Sequence, residues 1–399
     1  MVHVGAGDRT LFGVAMLMSD KLRVLCFHPA LAPYRLDFFN LLSERVDLDV
    51  VFLQKNLFSQ NFDQGALLAQ AKFRYRYLTV GFAICHRVFR LGVGRVLREV
   101  KPDVVLTYEA SPVTLGLCFC RRFAKWKLWT CMDDSPVLVA GRTGLRRIVR
   151  DWVIRHCDGV MVPSELAANE YARYCSSAAD RTQFAAVPII YDERHFRKDE
   201  DEVFRLAAAW RRANLKPNER AAFFVGRLSP EKNLKWLLGR AADTRWPSDL
   251  RLFIVGSGIQ EDELVAFARE ECTVGRVQFL GRQEGVQLYA LMAAQDIFIL
   301  PSRSEPFGAV VSESLHWGGP CFVSENVGAK ALINDANGEV FRLQDAGTDF
   351  HHKLLKMAGE LPGWKSGRAS RMGFKLDECI SGLVKAMSIG SLKEMRGEI

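Results

Sequence analysis

The chain has 399 residues, 49% of them hydrophobic and 25% charged, with a formal net charge of +8. A single core usually stops growing below that length, so two packed domains are expected, and the composition excludes disordered and collagen-like classes. No apolar run reaches the roughly 18 to 20 residues of a membrane span, the nearest (residues 103–120) being interrupted by Glu109 and Pro112.

In chain order, residues 1–25 hold a short apolar piece without a basic first segment or a cleavage site; it reads as a frayed leader, with Met18 as an alternative start. "KLRVLCF" is a first buried strand, "HPALAPYR" its loop and "LDFFNLLSERV" a helix; "DLDVVFLQ" is the next strand. "GVGRVLREVKPDVVLTY" repeats helix then strand, and "KWKLWTCM", "LRRIVRDWVIRHC" and "DGVMVPS" continue the alternation. In the second of these, Leu145, Ile148, Val149, Trp152 and Val153 share one face, expected to meet the core, while Arg146, Arg147, Arg150 and Arg155 lie largely elsewhere. "RKDEDEVFRLAAAWRRANLKPNER" is a polar helix and turn that suits a hinge.

The alternation then restarts through "AAFFVGRLS", "LRLFIVGSG", "VQFLG", "DIFILPS" and "PCFVS", with helices between them. The pattern predicts an α/β protein of two doubly wound halves: 1–197 as an N-terminal Rossmann-like domain, 198–373 as a C-terminal one, and 374–399 as a helix returning to the first. Ligands in such sheets sit beyond the carboxyl ends of the strands, so the site is expected in the cleft between the halves. The ten cysteines lie in apolar runs without a C-x-x-C pair, which suits reduced buried thiols in a cytoplasmic protein and no structural zinc.

Three strand-to-helix loops carry polar chemistry. In "FFVGRLSPEKNLKWLL", Gly226 lets the backbone approach a ligand, and Arg227 and Lys232 precede a helix, an arrangement that suits a diphosphate as well as a solvated loop. "FIVGSG" carries G-x-G without the third glycine of a dinucleotide fingerprint; a tight turn with Gly256 near a nucleotide is the reading. In "LPSRSEPFGAVVSESLHWGGP", the helix begins near Gly308 and stops at Gly318-Gly319-Pro320. The amides of Phe307, Gly308 and Ala309 open that helix and favour an anion. Glu305 precedes it and Glu313 lies inside it, where two acceptor oxygens can meet sugar hydroxyls; a capping carboxylate and a helix-face charge are the structural alternatives.

Taken together in this order and spacing, these stretches, with Glu305 and Glu313 as E-x7-E, resemble the family 4 (group 1) retaining glycosyltransferases of the GT-B fold. The resemblance covers residues 220–345 strongly and residues 21–196 more loosely, through "APYRLDFFNLL", "VPS" and "PIIYDERHF". It implies a nucleotide-diphosphate sugar as donor substrate, no metal, no cofactor and retention of configuration. Glu313 would hold the ribose, Arg227 and Lys232 the diphosphate, Phe307 to Ala309 the leaving phosphate or the sugar, Glu305 the donor sugar, and Arg282 the base. Gly226 and Gly256 would border the donor. The catalytic set so implied is Glu305, Arg227, Lys232 and Asp133, with His28, Tyr34, Arg35, Asp133 and Asp134 on the acceptor side.

The chain departs from the pattern in three places: "HPALAPYR" replaces a glycine-rich turn, Met132 stands near a usual His, and Lys330 and Ala331 stand where a Glu is common. His28 reads equally as a sugar contact or a structural loop histidine. The acceptor would be a saccharide or a lipid-linked sugar, in assembly of a surface polysaccharide or glycoconjugate. An epimerase or phosphorylase on the same scaffold, or a catalytically silent binding subunit, are the alternatives. Residues 71–160 hold 17 Lys and Arg against 7 Asp and Glu. Their net of +10 predicts peripheral contact with an anionic membrane at its inner face, and no nucleic-acid motif accompanies it.

Overall fold

A computed structural model describes residues 21–56, 62–84, 87–175, 182–344 and 347–389. The leader reading of residues 1–20, Met18 and Cys85 lie outside them. Nine of the ten cysteines are described, all as free thiols, and most are buried; Cys120 is exposed and Cys379 half-buried.

The N-terminal domain carries strands β1 (Arg23–His28), β2 (Asp47–Phe52), β3 (Arg74–Tyr77), β4 (Gly81–Ile84), β5 (Arg87–Arg90), β6 (Val104–Tyr108), β7 (Lys127–Cys131), β8 (Gly159–Val162) and β9 (Gln183–Ala186). Seven form one sheet in the order β3-β2-β1-β6-β7-β8-β9, parallel throughout, while β4 and β5 pair as a separate antiparallel hairpin. The central strands are apolar at almost every position because helices cover both faces of a parallel sheet; Val24, Leu25, Val50, Val51, Val104 and Val105 are fully buried.

The C-terminal domain repeats the plan with β10 (Arg220–Val225), β11 (Leu250–Val255), β12 (Val277–Gly281), β13 (Ile297–Leu300), β14 (Cys321–Ser324) and β15 (Gly338–Phe341). The order is β12-β11-β10-β13-β14-β15, again parallel. Both sheets reverse their winding, at β1/β6 and at β10/β13, and the loops that part there leave a crevice at the carboxyl ends of the strands. Those two points hold most of the polar residues singled out in the sequence.

Two sequence expectations change. The polar stretch expected as a hinge is a helix of the C-terminal domain: Glu200–Asn214 buries Val203, Phe204 and Ala207, packs on the helix Gly285–Ala294, and pairs Arg211 with Asp296 at 2.7 Å. The chain crosses between domains just before it, where Tyr191 stacks on His195 and Phe196 on His316. The helix Gly144–His156 buries Val153 and Ile154 but leaves Leu145 74% and Ile148 64% exposed. Its apolar stripe therefore runs off the core at its first turns, because the neighbouring helix Pro112–Cys120 meets it further along, where Phe119 packs on Trp152.

The last helix, Leu376–Ser388, lies against the helix Pro33–Arg45 and β9 of the first domain. Arg45 pairs with Asp377 at 2.5 Å, and Lys127 Nζ donates to the carbonyl of Met387 at 3.0 Å.

Candidate active site

In the C-terminal domain, β10 ends at Val225 and the next residues run beside the end of β11. A Cβ on Gly256 would lie 1.8 Å from the Gly226 carbonyl oxygen, and one on Gly258 would lie 2.4 Å from that of Leu228. Leu228 N–H donates to the Ser257 carbonyl at 3.0 Å and Gln260 N–H to that of Leu228 at 3.1 Å. The G-x-G pair thus lets two strand ends lie in backbone contact, which is a packing requirement independent of any ligand.

The loop after β10 is tied across the switch point to the loop after β13. Asn233, in the left-handed conformation, donates Nδ2–H to the Pro301 carbonyl at 3.2 Å, and Arg303 N–H donates to that of Glu231 at 2.8 Å. Lys232 Nζ is thereby set on the Glu305 carboxylate as an ion pair, both side chains nearly buried. Arg227 stands apart, exposed, pairing with Glu231 at 3.4 Å. Arg282 follows β12 and pairs with Glu284 on the exposed rim.

Gly308 takes φ +93° and opens the helix Ala309–His316; a Cβ there would press on Glu305 Cγ at 3.1 Å and Val327 Cγ1 at 3.3 Å. Phe307 is buried, its carbonyl accepting from Ala329 N–H at 2.7 Å. Lys330 donates to the Glu325 carbonyl at 2.6 Å, which ties the loop to itself.

Glu313 sits one and a half turns into this helix. Burial pushes its carboxyl up to about 7, and among the described residues no cation and no hydrogen-bond donor engages the carboxylate. The Tyr191 hydroxyl is raised by burial and by Glu313, with Tyr289, Asp37 and Tyr34 also nearby. Glu313 and Tyr34 therefore converge on one residue of the interdomain crossing. His195 joins them, its Nε2 3.2 Å from the Tyr289 hydroxyl.

Across the cleft, His28 ends β1, Glu109 follows β6 and Asp133 follows β7. Arg35 Nη2 reaches both Asp133 oxygens, at 2.5 and 2.7 Å, and Tyr108 OH and Cys131 Sγ donate to the same carboxylate at 3.1 Å each. Burial alone would raise Asp133; the Arg35 guanidinium outweighs it and holds the carboxyl below its ordinary value. Asp133 is therefore a saturated counter-ion to a buried arginine and a poor base.

Asp134 is buried and engaged by Arg142, Arg150 and Tyr171. Met132 is fully buried, with Sδ 2.8 Å from Arg150 Nη1, so it turns into the core. His28 is buried against Phe39 and Tyr108, its Nδ1 2.8 Å from the Ala30 carbonyl and its Nε2 without a partner. Burial, then the nearby Arg35, lowers it to about 3, so the ring is neutral at physiological pH.

Sequence reasoning passed over Glu109. It takes φ +53°, accepts from Asp133 N–H at 3.1 Å, pairs with Arg150, and is pushed up to about 7 by burial against the pull of Arg150. An acid immediately after the strand at a switch point was the available signal. Tyr191, Tyr289 and His195 carry no such local mark. Among the described residues, no group of three His, Cys, Asp or Glu side chains is placed to hold a metal.

Residues 207–357 match the family of glycosyl transferases group 1. The chain is 34% identical over 251 residues to a D-inositol 3-phosphate glycosyltransferase of Nocardia farcinica, covering 61% of this chain and 52% of that protein. It is 34% identical over 137 residues to a glycogen synthase of Mycobacterium tuberculosis, 33% of each. The chain thus spans about a third to a half of the length of these curated relatives. The Anabaena protein HepE, solved in complex with UDP, superposes with a TM-score of 0.65 at 15% identity, over 94% of this chain and 100% of that one. The domain bearing Lys232, Glu305 and Glu313 accordingly matches the group 1 glycosyltransferases over residues 207–357, and the chain as a whole has the two-domain GT-B fold.

Proposed function

We propose that the chain transfers a sugar from a nucleoside diphosphate sugar to a hydroxyl of a saccharide or lipid-linked acceptor, with retention of configuration, in assembly of a surface polysaccharide or glycoconjugate. The observation that carries this reading is Glu313, a carboxylate raised to about 7 by burial and, among the described residues, lacking a protein partner. The two hydroxyls of a ribose supply the donors it lacks. HepE, whose fold this chain shares, was solved with UDP, which makes UDP the first nucleotide to test.

Lys232 and the start of the helix Ala309–His316 would face the diphosphate, with the exposed Arg227 free to swing onto it. A diphosphate that draws Lys232 away releases Glu305 to accept from a sugar hydroxyl. In transfer, the bond from the anomeric carbon to the phosphate oxygen breaks and one to the acceptor oxygen forms on the same face. The acceptor proton goes to the departing phosphate oxygen, because Asp133 is saturated and His28 is held neutral with a low proton affinity. Lys232 and the helix dipole neutralise the charge on the leaving diphosphate, so no metal enters the scheme.

The test is thermal denaturation of the wild type and of Glu313→Ala with UDP, GDP, ADP and their sugar conjugates. A ligand at a hundredfold over its Kd adds about 2.7 kcal/mol, a rise of a few degrees for a chain of this size. The reading predicts such a rise with one nucleotide, lost in Glu313→Ala; no rise with any of them contradicts the donor site.

A further inference from the structure

The N-terminal domain exposes a run of large apolar side chains on the same face as its excess of cations. The β4/β5 hairpin, the helix Pro112–Cys120 and the helix Gly144–His156 stand side by side, the middle helix touching both neighbours. On the hairpin, Phe82 stacks on Phe89 with ring centroids 5.1 Å apart, and Phe82 and Ile84 are both more than half exposed. Phe119 is 72% exposed and Phe123, in the turn after the middle helix, 88% exposed. Leu145 and Ile148 complete the row on the third element. Among the exposed cations interleaved with them are Arg87, Arg122, Lys125 and Arg146.

A water-facing row of phenylalanine, leucine and isoleucine has no place on an ordinary monomer surface, and a solvated basic face does not account for it. Interleaved cations and apolar side chains fit a surface that is itself both anionic and apolar a few ångströms down. A folded acidic protein would meet the charges and leave protruding Phe123 and Leu145 to find pockets of their own. We infer that this face docks on an anionic lipid bilayer, the hairpin, Phe119, Phe123, Leu145 and Ile148 entering the headgroup boundary and the cations resting on lipid phosphates. No helix among the described residues is long and apolar enough to cross a membrane.

The placement also has a direction. The hairpin leaves the sheet at the carboxyl end of β2, where Arg90 Nε donates to the Leu53 carbonyl at 2.7 Å. Leu145 and Ile148 belong to the first turns of a helix that begins at that same end of the sheet. The end of the docked face formed by the hairpin and Leu145 therefore borders the rim of the cleft, while Phe119 and Phe123, at and just past the far end of the helix Pro112–Cys120, extend it toward the amino ends of the strands. This deepens the proposed function by naming where a lipid-linked acceptor arrives, yet docking itself needs no sugar donor.

The experiment is co-sedimentation of the full chain with phosphatidylcholine vesicles, with and without phosphatidylglycerol, at low and high salt. Two variants accompany the wild type: Leu145→Ser with Ile148→Ser, and Arg122→Glu with Arg146→Glu. All four positions are exposed, so melting temperatures and nucleotide binding should match the wild type, which separates failure of docking from failure of the donor site. Binding to the anionic vesicles alone is expected, weakened at least about tenfold by the apolar pair and about twentyfold by the charge pair. Absence of binding to anionic vesicles overturns the inference. So does binding unaffected by Leu145→Ser with Ile148→Ser, or self-association in solution that the same variants abolish, which would make the face an interface between copies.

Discussion

Replacing Glu313 by Gln isolates the group on which the donor site turns. Its carboxyl has an ordinary value of 4.5 and stands at about 7 in the folded chain, a difference worth at most about 3 kcal/mol. A raised carboxyl means that the folded state holds the proton more tightly than the unfolded state does. The stabilising contribution of the protonated form is fully present below pH 4.5 and is lost as pH rises through about 7. Glu313→Gln, which has no proton to lose, should match the wild type near pH 4.5 and exceed it by up to about 3 kcal/mol at pH 8. Nucleotide binding should run the other way, because the ribose hydroxyls need the ionised carboxylate. The variant should bind nucleoside diphosphate about 10- to 100-fold more weakly, the loss of one charge-assisted hydrogen bond. Wild-type binding at pH 7 should release about half a proton, read by calorimetry in two buffers of different ionisation enthalpy. Binding without proton release, together with parallel pH–stability curves for the two proteins, would refute the reasoning.

The Arg35–Asp133 pair is largely buried, with one guanidinium nitrogen on both carboxylate oxygens, so Arg35→Met should destabilise by about 3 to 5 kcal/mol by stranding the carboxylate, while Arg35→Met with Asp133→Leu recovers much of the loss; denaturation curves distinguish this from an additive result. Gly256→Ala should disrupt the β10/β11 loop contact, since its Cβ would lie 1.8 Å from a carbonyl oxygen, and should lower the melting temperature sharply. Gly239→Ala, on the helix Leu234–Ala242 with nothing within 4 Å, should instead stabilise by about 0.5 to 1 kcal/mol.

The doubly wound halves were legible because strands buried on both faces read as unbroken apolar runs, such as "VVLTY", "AAFFV" and "IFIL". Strands β3, β4 and β5 were not, since "RYRY", "GFAI" and "RVFR" are largely exposed and carry no core pattern. Periodicity found the stripe on the helix Gly144–His156 but could not say that its first turns outrun the helix beside it. In the candidate site, residue types and their loops could be read locally, whereas pairings could not. Lys232 and Glu305 are 73 positions apart, and the partners of Asp133 and Asp134 come from four other elements. Asp133 and Asp134 look alike in sequence, and only their surroundings separate an ion pair with Arg35 from a buried link to Arg150 and Tyr171.

The most direct test of the central claim is release of nucleoside diphosphate from a panel of nucleotide sugars, with wild type and Lys232→Ala, in the presence of saccharide and lipid-linked acceptors. The account predicts acceptor-dependent release with one donor, reduced about 100- to 1,000-fold in Lys232→Ala as the leaving diphosphate loses its counter-charge. Turnover by Lys232→Ala at the wild-type rate, or no release from any donor under conditions where the nucleotide binds, would contradict it.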